Sequence, residues 1–538
     1  RKRFVIDRSA PDIDLRVAKP AWDNFERKML FVFRASDRSV TRVHYRPLGG
    51  SAWAEQVHDR ITRHGHFLLG MEALSPGSYE YYLSAVNEAG LSAQTALDTF
   101  VFQSEFLPLS GFDTLTYSIP MGHYLPGTYD FDGDNLEEVV MSEYDDNLGF
   151  GKLRIYEYNA VDFTAADSVD FKPILIPKDV QDTDGDGRLE LLCSVNDSMF
   201  VVEQSGAQSY PSEQIWSDAG NTWFPARFAD TDGDGELEIL AKDFVDYKVL
   251  KGNGNTGWSL EATLADDSPD YIGSVAPRAL VHDFDQDGRP ETIFGDFDGD
   301  FLVYEANGNS YDQVFVDTTL LSKSGSYLTE GDFDGDGEME FFVAAHTTLN
   351  RNEEDFEYEP PYWYLRMYEA TGNNTYTVVW EDYLFDIDTE NFNAATAGNV
   401  DQDAADELIF TTFPRTFLLE HDGSDYHFTW FHYGDLTTHH VIGDFNGNGV
   451  NEFAIGRGDK ALFWEKDFSY TGPQPVVFLD GHVESASENH LNWQASPNAT
   501  EYRIWRGEIT GPGSILIGLI DSTTATTYVD NGLTANTD

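Results

Sequence analysis

Residues 182–190 read DTDGDGRLE, with carboxylates at alternate positions, a glycine sixth and a further acid ninth. Hard divalent cations such as Ca²⁺ take six to eight oxygen ligands. A turn of this kind supplies them from side chains at positions one, three, five and nine and from a carbonyl at position seven. Asp182, Asp184, Asp186 and Glu190 are therefore candidate ligands, and Gly187 permits the positive φ of a sharp turn. The pattern recurs as Asp130, Asp132, Asp134 and Glu138, with Asn135, which tolerates the left-handed region, in place of the glycine; as Asp230, Asp232, Asp234 and Glu238; as Asp283, Asp285, Asp287 and Glu291; and as Asp332, Asp334, Asp336 and Glu340. Two further copies are altered: Asn399, Asp401, Asp403 and Glu407, with Ala404 sixth, and Asp444, Asn446, Asn448 and Glu452. So many carboxylates crowded together repel one another unless a cation lies between them. The expected cofactor is Ca²⁺, up to seven ions, with the sixth and seventh sites the weakest. Ala404 would be strained at a positive φ, and Asn carries less charge than Asp.

Other chemistry is poorly served. There is no GxSxG, no HExxH and no phosphate-cradling glycine loop, and the dense carboxylate clusters are committed to metal, so no catalytic residue is expected. Against 94 Asp and Glu stand 34 Lys and Arg, a net charge of -60 that excludes nucleic acid and anionic membrane surfaces as partners. No apolar run approaches the ~20 residues that span a bilayer, so no membrane insertion is expected. Cys193, the single cysteine, sits in the apolar run LELLCSV and reads as buried and inert. Loops of this type fill where Ca²⁺ is millimolar, which points to an extracellular location, secreted or on the cell surface. The remaining partners expected are other domains of a longer chain.

The loops begin at residues 130, 182, 230, 283, 332, 399 and 444, intervals about the length of a four-stranded propeller blade. The fourth shows the plan: VAPRALVHDF as an inner strand, the acidic loop, then PETIF, DFLVYEA and YDQVFVD as three more strands. In this arrangement the chain resembles the FG-GAP or VCBS repeat family, whose relatives include the seven-bladed heads of integrin α subunits. The resemblance implies an all-β, seven-bladed β-propeller with Ca-binding loops over residues 105–470. The last blade lacks a fourth strand, and FDTLTYS, residues 112–118, is expected to supply it and close the ring. GDFDGDFLVYE, with Asp296, Asp298 and Asp300, has Phe301 sixth and reads as a hairpin turn.

Residues 1–104 alternate as strands, and Leu74, Pro76 and Tyr79 resemble the tyrosine-corner entry of a fibronectin type III sandwich. Residues 471–538, with Trp493, Tyr502 and Trp505 at inward-facing spacing, resemble a truncated second one. In the integrin heads ligands meet the face opposite the cations. Here that face carries the insertion TTLNRNEEDFEYEPPYWY, whose Tyr358, Tyr362, Trp363 and Tyr364 beside Glu353, Glu354 and Asp355 would suit a glycan or a basic protein. The triplet Arg457, Gly458 and Asp459 reads as a hairpin, and His439 and His440 as structural residues near the central channel. The chain is thus expected to be a non-catalytic adhesion or scaffold module. The alternatives are a propeller of a secreted carbohydrate-active enzyme of polysaccharide lyase type or of a protease, or a spacer in a surface fibre.

Overall fold

Alternating aromatic and β-branched residues, with short Gly/Asp/Asn turns between them, favour strands over helices, and every regular element among the described residues is a β-strand. The computed structural model describes residues 9–531 apart from 170–175, 266–277, 319–326, 347–361, 386–392, 434–439, 469–477, 494–501 and omissions of one to four residues elsewhere. The chain divides into two units, residues 1–111 with 468–538, and residues 112–467. Residues 105–107 side with the first, because the Arg27 amide donates to Glu105 O and the Leu107 amide to Phe25 O.

Residues 112–467 form a β-propeller in which six antiparallel sheets of four strands are separate. One shows the order: Ile176–Gln181 pairs with Glu190–Val195, which pairs with Ser198–Gln204, which pairs with Pro211–Ser217. The strands Leu328–Gly331, Glu340–His346, Tyr362–Gly372 and Thr375–Phe385 pair in the same serial order. One sheet draws a strand from the far end of the unit. Phe112–Pro120 pairs with Lys460–Lys466, alongside Glu452–Arg457 and Ile442–Gly443, in the place expected for the orphan segment.

Burial explains why the second strands read as nearly continuous apolar runs. Glu238–Lys242, Glu291–Gly295 and Glu340–His346 are buried at every residue, because sheets cover both their faces, whereas the outer strand Pro211–Ser217 is largely exposed. The packing joins successive sheets: Met199 and Val201 meet Phe228 and Ile239, and Leu280 and Ile293 meet Phe341 and Val343. Tyr117, Phe445 and Phe463 pack on Tyr124, Met141 and Phe163, which joins the last sheet to the first. Each such ring or branched chain taken from water contributes about 1.5–3 kcal/mol. Inner strands surround a central cavity lined by Asp179, Arg227, Arg278, Leu328, Glu330 and Thr396.

In the other unit the long strand Glu26–Pro47 pairs with Ile13–Asp23 and Thr62–Leu69 along its first half, and with Gly77–Asn87 and Ala54–Val57 along its second. Phe31, Phe33, Tyr81, Leu83 and Phe100 are its core. The Tyr79 hydroxyl donates to Ser75 O and accepts from the Ser75 amide, both at 2.9 Å, a corner four residues upstream. Near the C-terminus Phe478–Ser485, Glu488–Trp493 and Thr527–Asn531 form one sheet and Tyr502–Gly511 with Ser514–Thr523 another. Trp493 is buried and meets Tyr502 edge-on; the Trp505 side chain lies outside the described residues.

Candidate cation sites

Each acidic loop joins the first two strands of its four-strand set. Its first aspartate folds the turn around itself: Asp182 accepts the amides of Gly185 and Gly187, and Asp230 those of Gly233 and Gly235. The fourth position of every turn takes positive φ, and in the second, third, fourth, fifth and seventh loops the sixth does too, as at Gly185 (74°) and Gly187 (82°). In the sixth loop Ala404 is not among the positive-φ residues, so the strain expected there is absent. Gln402, fourth in that loop, keeps the positive φ of its position at 69°, as Gln286 (58°) does in the loop of Asp283. Asn135, sixth in the first loop, lies outside the described residues.

The structure brings the candidate ligands together. The carboxylates of Asp130, Asp132, Asp134 and Glu138 present oxygens within 4.8 Å of one another, as do those of Asp182, Asp184 and Asp186, and of Asp283, Asp285 and Asp287. The loops share one rim. The eighth residue of a loop rests on the loop before it: Pro290 beside Gly233, the Asp406 amide donating to Asp332 O at 2.7 Å, and Asn451 Nδ2 donating to Asn399 O at 2.7 Å.

The ninth residue starts the second strand, and its burial sets its chemistry. Glu138, Glu190, Glu238, Glu291, Glu340, Glu407 and Glu452 are at most 1% exposed. In all seven, Oε2 accepts the amide of the loop's second residue at 2.6–2.9 Å. In the first six, Oε1 is buried and has no hydrogen-bond partner, and Asp283 Oδ1 and Asp332 Oδ1 are orphaned in the same way. A buried carboxylate oxygen without a partner costs several kcal/mol unless a proton or a cation meets it. Burial first, and the loop aspartates after it, pushes the carboxyls of Glu138, Glu291, Glu340 and Glu407 up to about 8 and that of Glu190 up to about 7. These donors are hard oxygens in the number and spacing that fit a calcium ion.

The seventh loop differs. Glu452 Oε1 accepts from the Tyr117 hydroxyl at 2.9 Å and from Asn446 Nδ2, while Asn448 Nδ2 donates to Glu465 Oε2 at 2.6 Å. Protein donors already fill much of this donor set, a second reason beside its Asn content for weak binding.

Sequence reading missed the carboxylates that the third strands carry. Opposite Glu190 in register stands Glu203, and opposite Glu291 stands Glu305, both 4% exposed. Glu203, Glu420 and Glu465 each follow the ninth-position glutamate of their own loop by thirteen residues, a signal open to a search for a second acidic period.

On the opposite face, Tyr358, Glu353, Glu354 and Asp355 lie outside the described residues. Trp363 is 1% exposed and packs edge-on against Tyr327 and Phe410, so its ring faces the interior rather than a ligand. Tyr362 is buried as well; Tyr364 is partly exposed, stacked on Tyr383 and hydrogen-bonded to Glu381. His440 is fully buried between Thr411 Oγ1 (2.7 Å) and Thr396 Oγ1 (3.3 Å), a structural residue; His439, Gly458 and Asp459 lie outside the described residues. Gly295 pairs with Phe301 across two antiparallel strands, and residues 296–299, with Asp296 and Asp298, lie outside the described residues. Cys193 is buried, and burial pushes its thiol far up, leaving it inert.

The FG-GAP-like repeat matches residues 182–241 and 283–343, which contain the second to fifth acidic loops. No curated protein matches the chain. Among solved structures, an Agrocybe aegerita lectin described for specific recognition of non-reducing terminal N-acetylglucosamine is 12% identical with a TM-score of 0.39, over 79% of this chain and 96% of that one. A β-propeller domain from Myceliophteria thermophila is 9% identical with a TM-score of 0.38, over 65% and 99%. Another from Vanderwaltozyma polyspora is 8% identical with a TM-score of 0.40, over 66% and 97%. At these identities and scores the likeness assigns no activity to this chain. No helix among the described residues is long and apolar enough to cross a membrane.

Proposed function

We propose that this chain is a non-catalytic extracellular binding module whose FG-GAP-like propeller is fastened by structural calcium. The observation that carries the calcium reading is the repeated orphan: a fully buried glutamate with one oxygen held by the backbone and the other without a partner, beside two or more aspartates. When bound, calcium would supply the missing partner and cancel the repulsion of the cluster. Its role is structural, since an ion that binds the folded loop and not the unfolded chain stabilises the fold by mass action. The serial pairing of Leu328–Gly331 through Thr375–Phe385 and the place of Leu328 on the central cavity support a count of seven blades. The Tyr79 corner supports a fibronectin type III-like fold for the N-terminal sandwich.

Recognition of a protein or a glycan belongs to the face opposite the loops, around the connection from His346 to Tyr362, with Tyr364 the described aromatic best placed to serve. Thermal unfolding of the full chain tests the calcium role. Addition of a chelator should lower the midpoint by more than 10 °C, and calcium in excess should restore it. A midpoint indifferent to both would remove the reading.

A further inference from the structure

From the third strand of each four-strand set, one residue faces the ninth-position glutamate. Besides Glu203 and Glu305 these are Glu157, Glu369, Glu420 and Glu465, each one residue beyond the pairs Val139–Tyr156, Phe341–Tyr368, Leu408–Leu419 and Phe453–Trp464. Like charges directly opposite across a ladder destabilise it, so the second carboxylate makes sense as a further member of a cation site. Glu203 joins Asp186 and Glu190 in one group whose oxygens lie within 4.8 Å.

The third loop breaks this pattern. Opposite Glu238, one residue beyond Ile239–Leu250, stands Lys251. Its Nζ lies 2.5 Å from Asp234 Oδ2, 3.1 Å from Asp232 Oδ2 and 3.4 Å from Glu238 Oε1, so one ammonium addresses the third, fifth and ninth positions together. Arginines also approach the second and fourth loops, but from the seventh position. Arg188 pairs with Asp186 and Glu203, and Arg289 with Glu305, which leaves Glu190 Oε1 and Glu291 Oε1 without partners.

We propose that the ammonium of Lys251 is the resident cation of the third loop, which therefore takes no calcium although its sequence, Asp230, Asp232, Asp234 and Glu238, is among the most regular. The proposal rests on the calcium reading of the other loops. An ammonium is a compact charge with three donors, suited to three converging carboxylates. A dication entering the same oxygens would have to displace the ammonium from them, and the lysine stem would keep that like charge close by. The strand-three residue thus selects the kind of cation: glutamate favours a divalent ion, and lysine supplies a monovalent one from the chain itself.

Calcium bound per full-length chain, counted by calorimetric titration after exhaustive chelation, decides the matter. Lys251→Glu should add one calcium per chain, Asp285→Asn in the fourth loop should remove one, and Asp232→Asn should remove none. Loss of one calcium in Asp232→Asn, or no gain in Lys251→Glu with its circular dichroism intact, overturns the proposal while leaving the calcium reading standing. Absence of any calcium from the unaltered chain overturns both. A second variant guards against misfolding. In chelator, Lys251→Met should lower the thermal midpoint through loss of the built-in cation, and an unchanged midpoint counts against the proposal.

Discussion

Five ninth-position glutamates, Glu138, Glu190, Glu291, Glu340 and Glu407, have one satisfied oxygen and one that neither a hydrogen bond nor an ammonium meets, and this division makes them sensitive to protons as well as to metal. Their folded carboxyls titrate at about 7 to 8 where values are resolved, above the ordinary 4.5. An acid whose folded value is raised contributes stability that is complete below its unfolded value and is lost as pH rises through the folded one. The calcium-free protein should therefore lose stability between about pH 4.5 and 8, from the unfolded carboxyl value up to the folded ones. Calcium competes for the same oxygens, so its affinity should rise across that window and its binding should release protons. Thermal midpoints in chelator at the two ends, beside titrations in buffers of different ionisation enthalpy, check both statements. A chelated midpoint that climbs with pH would contradict the assignment of the raised carboxyls.

The strand Phe112–Pro120 reaches the seventh loop through one hydroxyl, that of Tyr117 on Glu452 Oε1. Tyr117→Phe should cost about 1–3 kcal/mol in chelator, the range for a buried acceptor that loses a partner. The loss should shrink in calcium, because a cation can meet the lone pair of Oε1 that the hydroxyl leaves open; denaturant midpoints in the two conditions give the comparison. An equal loss in both would mean that the hydroxyl acts on packing alone. Deleting residues 105–118 should lower the midpoint far more, since it strips most of the ladder beside Lys460–Lys466. This strand was legible in the sequence because a propeller's last set needs four strands and only three were present. The loop ligands were legible because their spacing is local. What escaped depends on register: Glu203 and Lys251 lie thirteen residues from the glutamates they face, and only the pairing of second and third strands brings them together. Trp363 escaped because an aromatic at the end of an insertion reads as exposed, while the strand that begins at Tyr362 turns its ring toward Tyr327.

Successive sheets of residues 112–467 share buried clusters, and loops along the rim are joined by hydrogen bonds, so loss of one cation should be felt beyond its own blade. A net charge of -60 adds to the effect, since every calcium removed leaves its carboxylates facing a background of the same sign. Chelation should then move the unfolding of residues 112–467 as one cooperative transition rather than melt the blades in turn. Residues 9–111 contain none of the acidic loops, and their transition should stay where it is. One occupied site at a hundred times its dissociation constant adds ~2.7 kcal/mol, so several sites acting on one cooperative unit separate the two transitions widely. Scanning calorimetry of the full chain with and without chelator resolves them. Stepwise melting of the propeller would show that rim contacts do not couple the blades, and an equal shift of both transitions would place calcium outside the loops.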